Sequence, residues 1–217
     1  MTLLAVAVAG RGLVPVDEPV YRADDEALLR GGAAFETLRV YGGRPFLLER
    51  HLERLAYSAA ALALPAPDGA RELVESIVAA SPPDHVLRIY RTERALVATG
   101  AALPDDLDEL RARGLRVATV AAGSSTFLAG VKSTSYAAPF AARRAVAADD
   151  VLFVSRRVIR ECATANIWWR RGDVLYTPAA GEGVLAGVTR SFLLEQAATV
   201  EGSSPLSSGE TPPWSVA

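Results

Sequence analysis

Hydrophobic positions in the first part of the chain change repeatedly between the spacing of strands and that of helices. The apolar run at residues 1–9 predicts a first strand, which ends before Arg11. Two apolar-rich runs at residues 35–41 and 45–47 are joined by a Gly-Gly pair, which is typical of a β-hairpin. In residues 48–62, apolar side chains recur at helical spacing and predict a helix.

The alternation of strands and helices continues to the region of residue 120. A second predicted helix ends at a Ser-Pro-Pro sequence, and strands and a third helix follow. These predicted elements are a helix at 71–80, strands at 86–90 and 95–99, a helix at 105–113 and a strand at 115–120. Their order indicates a compact α+β unit.

The second part of the chain opens with small and polar residues at 121–130, which we interpret as a linker. The elements predicted after it are a helix at 139–148, strands at 151–155, 158–161, 166–170 and 174–176, and a helix that opens at Gly187 and carries Phe192 and Ala197. Residues 201–217 are rich in Ser, Pro and Gly without periodicity, which predicts a disordered tail. We therefore predict a small N-terminal domain at 1–120, the linker, a second domain at 131–200 and the tail.

Composition and charge exclude several classes of function. The formal net charge is −2 and no basic run is present, so neither nucleic acid nor a membrane surface is an expected partner. The single cysteine, Cys162, cannot form an internal disulfide, which favours a reducing compartment such as the cytoplasm. His51 and His85 are the only histidines and cannot build a Cys/His zinc site with one cysteine, so we expect no metal.

Lys132 is the most informative single residue in the sequence. Of the 23 Lys and Arg residues one is lysine, which leaves 22 arginines. Arginine stays protonated, whereas a desolvated lysine amine can lose its proton and attack a carbonyl group. Retention of one lysine in such a chain therefore suggests a task that arginine cannot perform, with chance survival as the alternative.

Several motifs in this order resemble the class IV aminotransferases, the fold-type-IV enzymes that use pyridoxal 5′-phosphate (PLP). Members include branched-chain and D-amino-acid aminotransferases and aminodeoxychorismate lyase. The resemblance extends over about residues 3–198 and includes Phe35-Glu36-Thr37, His51-Leu52-Glu53-Arg54-Leu55 with Ser58, Lys132 to Tyr136, Arg160 to Ile167, Tyr176-Thr177-Pro178 and Gly183 to Arg190. It implies an α+β fold of two domains, similar to D-amino-acid aminotransferase.

The resemblance implies that Lys132 is the catalytic residue, holding PLP as a Schiff base and moving a proton at the substrate Cα. Glu161 is similar to the family's acidic partner of the pyridine nitrogen; a surface strand-edge glutamate is the alternative. Val188 and Thr189 open the last helix, whose N–H groups suit a phosphate, although ordinary capping would use the same residues. Arg54 is the matching basic phosphate ligand, and the alternative is a solvated arginine on a helix face.

The remaining candidate residues surround the cofactor ring and the substrate. The resemblance implies that Tyr136 donates a hydrogen bond to the O3′ phenolate of PLP, with a core tyrosine as the alternative. Thr164, together with Asn166, is expected to shape a loop beside the ring. Phe35 and Arg88 correspond to the substrate side in relatives. Cys162 is expected to be a small buried residue.

Two regions depart from the family pattern. The strand that contains Tyr90 continues into Arg91-Thr92-Glu93-Arg94, where relatives have a Thr-Arg-Gly turn and a longer loop. The tail does not resemble the family, so we expect the second domain to be truncated at its C-terminal end. Such a truncation would leave apolar faces and strand edges uncovered.

Three functions remain open at this stage. The first is an aminotransferase that acts on an amino acid and a 2-oxo acid. The second is aminodeoxychorismate lyase, which forms 4-aminobenzoate and pyruvate in folate synthesis; the run Glu161-Cys162-Ala163-Thr164-Ala165-Asn166 favours it. The third is a truncated, inactive remnant of the fold. Relatives are homodimers, so the resemblance implies a homodimer that binds small molecules.

Overall fold

The computed structural model describes residues 2–122, 130–181 and 183–196, together with the backbone of 199–201. The chain divides into two compact units. The first contains residues up to Asp108 together with the separate segment Val131–Tyr136, and the second contains Glu109–Gly130 and the chain from Ala137 onward. The described residues include no helix with the length and apolar character required to cross a bilayer.

The first unit is built on a six-stranded sheet covered by two helices. Its elements are β1 (Leu3–Val8), β2 (Gly12–Val14), α1 (Glu26–Arg30), β3 (Ala34–Tyr41), β4 (Arg44–Pro45), α2 (Leu48–Ala61), α3 (Ala70–Ala80), β5 (His85–Arg91) and β6 (Leu96–Ala101). The strand order is β2-β1-β6-β5-β3-β4, and neighbouring strands are antiparallel. Helix α2 packs on β3, and α3 packs on β1 and β6.

The β3–β4 hairpin and the helix after it follow from local chemistry. Gly42 and Gly43 both have positive φ, 53° and 77°, which a two-residue type I′ turn requires and which glycine adopts without strain. Helix α2 then buries one stripe, formed by His51, Leu55, Ser58 and Ala59. The apolar part of that stripe joins Leu38, Val40 and the buried residues of α3 and β5 in one core cluster. The predicted hairpin and the helix predicted at 48–62 are confirmed.

The segment Val131–Tyr136 adds to the start of β3, although it follows that strand by many residues. Ser133 forms an antiparallel bridge with Ala34, and the Thr134 N–H donates to the Ala33 carbonyl at 2.9 Å. Gly31 makes this approach possible, because a Cβ there would lie 3.0 Å from the Ser135 Cα atom and its φ is 67°. The lysine segment is therefore part of the first unit.

The second unit contains shorter elements and smaller sheets. After α4 (Leu107–Arg113), within which the boundary between the units falls, it contains β7 (Val117–Ala121), α5 (Ala137–Arg144), β8 (Asp150–Ser155), β9 (Val158–Cys162), β10 (Trp169–Arg171), β11 (Val174–Thr177), α6 (Val188–Gln196) and β12 (Thr199–Glu201). In the described part of the chain, β7-β8-β9 and β10-β11-β12 form separate three-stranded sheets. Leu152, Ile159 and Cys162 form a small core with Val117 and Ile167 packed against it.

Some predicted boundaries differ from the structure for physical reasons. Helix α5 ends at Arg144 instead of 148, because the chain bends before β8 begins at Asp150. The strand predicted at 166–170 is limited to 169–171, since the Ile167 carbonyl accepts a hydrogen bond from the Thr177 hydroxyl. The short elements β2, α1 and β12 carry too few residues to show a period and were not predicted.

The domain division predicted from the sequence stays a prediction. In the structure, the second unit begins at Glu109. Residues 131–136 belong to the first unit, because this segment is hydrogen-bonded to the start of β3. Residues 123–129 of the predicted linker and 202–217 of the predicted tail lie outside the described residues.

Candidate functional site

The backbone of Lys132 is held on both sides within the first unit. Its N–H donates to the Ser58 hydroxyl oxygen at 3.1 Å, and its carbonyl accepts the Phe35 N–H at 3.0 Å. Ser58 is fully buried, so this contact is shielded from water. The position of the lysine stem is therefore fixed by a helix and a strand that both belong to the core.

The side chain of Lys132 lies over an aromatic ring. Its Nζ atom is 4.5 Å from the centroid of the Phe35 ring, a distance at which an ammonium group is attracted to the ring face. The Tyr136 ring meets Phe35 edge-on at 5.6 Å, and Tyr90 stacks with Phe35 at 6.0 Å. The structure thus brings together three residues that the sequence singled out, Lys132, Tyr136 and Phe35.

Arg88 lies on the same face of the sheet as Phe35. In the register of β3 and β5, Arg88 is opposite Thr37, and Tyr90 is opposite Phe35. Opposite residues point to the same side and side chains alternate along a strand, so these four side chains share one face. The residues between them, such as Glu36, are buried on the other face against the helices.

Arg54 forms an ion pair in the interior of the first unit. Its Nε and Nη2 atoms donate to the two carboxylate oxygens of Glu36, each at 2.7 Å. His51 Nδ1 lies 2.7 Å from Glu36 Oε2, and because a carboxylate only accepts, Nδ1 carries the proton. Burial opposes the charged form of Glu36, but the hydrogen bonds and charges of Arg54 and His51 outweigh it and lower the pKa of Glu36.

The arrangement on α2 relates Arg54 to the lysine segment. Arg54 and Ser58 are four residues apart and therefore lie one above the other on the helix surface. Ser58 bonds the Lys132 N–H, while Arg54 is held by Glu36. The sequence-predicted phosphate ligand is thus a neighbour, on the same helix face, of the residue that fixes the lysine.

Glu161 is held by a loop within the second unit. Its Oε2 atom accepts the Leu185 N–H at 3.0 Å and the Asn166 side-chain amide at 2.9 Å. The same amide nitrogen also donates to the Leu185 carbonyl at 3.0 Å. Two donors on one oxygen fix the direction of the carboxylate.

The start of α6 is tied to the same loop. A Cβ atom at Gly187 would overlap the Asn166 side-chain oxygen, so any larger residue here would displace the Asn166 side chain. The first bond of the helix runs from the Ser191 N–H to the Gly187 carbonyl at 2.8 Å, which leaves the first-turn N–H groups, including those of Val188 and Thr189, outside the helical ladder. Val188 is buried and Thr189 is exposed.

The other sequence candidates in the second unit differ in exposure. Thr164 is exposed, and Cys162 is buried. Burial, together with the charges of Asp150 and Glu161, raises the pKa of Cys162 to about 11. The thiol is therefore protonated at neutral pH, as expected for a small buried residue. Within the described residues, no group of three or more His, Cys, Asp or Glu side chains could hold a metal ion.

The family motifs in the sequence include Glu36, His51 and Ser58 but imply no role for them. A usable signal was present for Glu36, since it occupies a position of β3 whose neighbours on the same face, Ala34, Leu38 and Val40, are apolar and buried. A charged residue at such a position needs a buried partner. The bond from Leu185 to Glu161 had no sequence signal, because it depends on the path of a loop.

Comparison with known proteins gives a consistent result. The sequence model of the family described as amino-transferase class IV matches residues 33–210. A bifunctional aminodeoxychorismate lyase / D-amino acid transaminase of Mycobacterium tuberculosis is 31% identical to the chain, covering 89% of it and 78% of the relative.

Two solved structures have the same fold. A fold IV transaminase from Curtobacterium pusillum superposes with a TM-score of 0.82 at 32% identity, covering 93% of this chain and 83% of its own. The PLP-bound form of a hypothetical aminotransferase from Mycobacterium tuberculosis gives 0.84 at 26% identity, covering 93% and 82%. The predicted α+β fold-type-IV class is confirmed.

Proposed function

Since the chain belongs to the amino-transferase class IV family, we propose that it is a PLP-dependent aminotransferase acting on an amino acid and a 2-oxo acid. The observation that carries the proposal is the anchoring of the only lysine, with both backbone groups of Lys132 bonded to core elements and its amine over Phe35. A lysine that merely served solubility would not need such fixation.

The residues present fit PLP in number and chemistry. An aldehyde requires an amine, and Lys132 supplies the chain's only side-chain amine. A phosphate dianion suits the Arg54 guanidinium and the N–H groups of Val188 and Thr189 at the start of α6. The ring nitrogen suits a fixed carboxylate such as Glu161, which two donors hold in place.

PLP, when bound, supplies the electron sink that makes a proton at the substrate Cα removable. In the proposed mechanism, Lys132 would hold the cofactor through its amine and would be the base that takes the substrate Cα proton on Nζ. Glu161 would hold a proton on the ring nitrogen, and the donors to Glu161, Asn166 and the Leu185 N–H, keep its carboxylate oriented. Tyr136 would donate to the ring oxygen, and Thr164 would line the loop beside the ring.

Substrate recognition is proposed for the face that carries Phe35 and Arg88. A guanidinium pairs with a carboxylate in two parallel hydrogen bonds, so Arg88 suits the carboxylate that amino acids and 2-oxo acids share. Phe35 is in contact with both Tyr90 and Tyr136, and the three rings form an apolar surface for the substrate side chain.

Aminodeoxychorismate lyase activity is the second candidate. The relative from Mycobacterium tuberculosis carries both a lyase and a transaminase name, which favours testing the two reactions together. Lys132 would do the same proton transfer in each, and the lyase differs by releasing pyruvate and 4-aminobenzoate without an acceptor. We also propose that the protein is a homodimer, as its resemblance to the family implies. A cytoplasmic location is proposed as well and agrees with the single cysteine.

The direct test uses the full chain purified with PLP. We expect a visible absorption band that borohydride removes, and a peptide carrying the reduced cofactor at Lys132, which is unambiguous because no other lysine exists. Lys132→Ala and Lys132→Arg should lose the label. Arg144→Ala is the matched control, because Arg144 also places a cation over a ring, that of Phe140, at 4.3 Å.

Activity is then measured in two assays with the same preparation. Amino-group transfer from D-alanine or L-leucine to 2-oxoglutarate would establish the aminotransferase. Pyruvate release from aminodeoxychorismate without a 2-oxo acid would establish the lyase. A colourless wild-type protein that takes no label at Lys132 would contradict both and leave the inactive remnant as the correct reading.

A further inference from the structure

A carboxylate, an imidazole and a guanidinium are bonded to one another in the interior of the first unit. Glu36 has no exposed surface, His51 is buried, and the Arg54 side chain exposes only 12%. Glu36 accepts two bonds from Arg54 and one from His51, so it joins the other two side chains. We call these three residues the Glu36 cluster.

Stability alone explains the Glu36 cluster poorly. Moving two charges out of water is costly, and replacing a buried ion pair by apolar residues is often neutral or stabilising. The same face of β3 carries Leu38 and Val40, which are buried in the core cluster, so the face accepts apolar side chains. The charged residues at this position therefore call for a role other than packing.

The geometry of the Glu36 cluster fixes one group in particular. Bonds from both Nε and Nη2 to a single carboxylate define the plane of the Arg54 guanidinium. Two of its five N–H donors are used in this contact. His51 bonds the same carboxylate from α2, three residues before Arg54, and so restrains the rotation of Glu36.

The Glu36 cluster is also close in the fold to the lysine segment. His51, Arg54 and Ser58 form one stripe on α2, with spacings of three and four residues. Ser58 at the end of the stripe bonds the Lys132 N–H. The same helix face thus fixes a guanidinium and the backbone of the proposed catalytic lysine.

The geometry points to Glu36 and His51 as positioning residues that orient Arg54 for the phosphate of PLP. This inference rests on the proposed function, in which Arg54 is a phosphate ligand. Glu36 balances the charge of Arg54 before the phosphate binds and holds the guanidinium plane afterwards. His51 acts one step farther away, by holding Glu36.

The test compares two ligands that differ by the phosphate. The full chain is stripped of cofactor and titrated with PLP and with pyridoxal, and inorganic phosphate is used as a competitor. Glu36→Gln should weaken PLP about tenfold relative to pyridoxal, the size expected for one impaired charge-assisted contact. His51→Leu should lower the same ratio less, and His51→Asn, which keeps a donor near the Nδ1 position, should restore it.

Asp25→Asn is the matched control in the same unit. Asp25 is 1% exposed and accepts bonds from the Thr92 hydroxyl at 2.8 Å and from the Ala27 N–H at 2.9 Å. The Asp25→Asn substitution therefore removes a buried carboxylate that has no contact with Arg54. Its ratio of PLP to pyridoxal affinity should equal that of the wild type, and unfolding curves confirm that each variant is folded.

Three outcomes would overturn the inference. One is a folded Glu36→Gln protein that binds PLP and pyridoxal with unchanged or equally reduced affinity, because the Glu36 cluster would then be only a core ion network. If Glu36→Gln does not fold, an unchanged ratio in both Glu36→Asp and His51→Leu decides against it. A wild type that binds PLP no more tightly than pyridoxal contradicts the phosphate site itself, and so separates failure of the proposed function from failure of the positioning role.

Discussion

The two units hold a carboxylate in different ways. In the first, Glu36 is fully buried and is bonded to two cationic or polar side chains, Arg54 and His51. In the second, Glu161 is half-buried and is bonded to one amide side chain, Asn166, and to the backbone N–H of Leu185. The first carboxylate is held by regular elements and the second by a loop.

The difference teaches where each unit is sensitive. A buried charge whose partner is lost has no water to replace it, so the first unit depends on the charges of its side chains. The second carboxylate keeps access to water and depends on the exact path of the backbone at 185–187. Substitution of charge should therefore affect the first unit most, and substitution of shape the second.

The same substitution in each unit should show the largest contrast. Glu36→Gln leaves the Arg54 charge buried without its counter-ion and should cost about 3–5 kcal/mol in the free energy of unfolding. Glu161→Gln still accepts the Leu185 N–H and should cost about 1 kcal/mol. Amide hydrogen exchange of α2 and α3 in the first unit, and fluorescence of Trp168 and Trp169 in the second unit of a Trp214→Phe background, give separate denaturant curves. Equal costs would remove the distinction.

A shape change at Gly187 should give the next largest effect. Gly187→Ala forces the Asn166 side chain away from Glu161, and the lost hydrogen bonds should cost about 1–3 kcal/mol. When Asn166→Ala is already present the overlap is absent, so Gly187→Ala should cost less in that background than in the wild type. Tryptophan fluorescence of the four proteins gives the coupling, and purely additive costs would show that the loop does not hold the carboxylate.

Acid should weaken the two units with different salt dependence. The pKa of Glu36 is lowered from 4.5, so its contribution to stability is complete above that value and is lost as the pH falls through the lower, folded value. In the second unit, bonds from Arg113 and from the Arg116 N–H lower the pKa of Asp149 from 3.8 to about 2, with the same sign. Asp149 pairs with the exposed side chains of Arg113 and Arg116, so its contribution should diminish in high salt more than that of Glu36.

That contrast is measured by melting the protein at several pH values in low and high salt. Glu36→Gln should flatten the acid limb of the first unit's transition, and Asp149→Asn should remove the salt-sensitive part from the second. If Glu36→Gln instead removed the salt sensitivity, the salt-sensitive charge would lie in the first unit, which would contradict the prediction.

The smallest effect concerns Cys162. With a pKa of about 11, its thiol should react very slowly with iodoacetamide at about pH 8 in the native protein. It should become reactive at the denaturant concentration where tryptophan fluorescence changes, since it belongs to the small core of the second unit. Rapid labelling of the native chain would show that this core opens independently of the fluorescence transition.

Regular elements could be predicted from the sequence, and loop contacts could not. The helix at 48–62 was recognisable because its leucines repeat at a fixed spacing, and the hairpin because two glycines mark its turn. Motifs in the sequence point to Lys132, Phe35 and Tyr136, and the structure brings these three residues together.

What could not be predicted depends on chain paths between elements. No spacing rule links Leu185 to Glu161, and the return of residues 131–136 to β3 leaves no trace in periodicity. The pairing of Arg54 with Glu36 could be predicted only in part. The sequence shows a charged residue, Glu36, on an otherwise apolar strand face, but it does not show which residue pairs with it.

The return of Val131–Tyr136 to β3 has a consequence for synthesis of the chain on the ribosome. When Asp108 has left the exit tunnel, the first unit still lacks its last hydrogen-bonded segment, and part of the second unit is made before that segment appears. The nascent chain must keep the start of β3 and the Ser58 hydroxyl accessible until Lys132 arrives. Completion of the first unit is therefore timed by the emergence of its lysine.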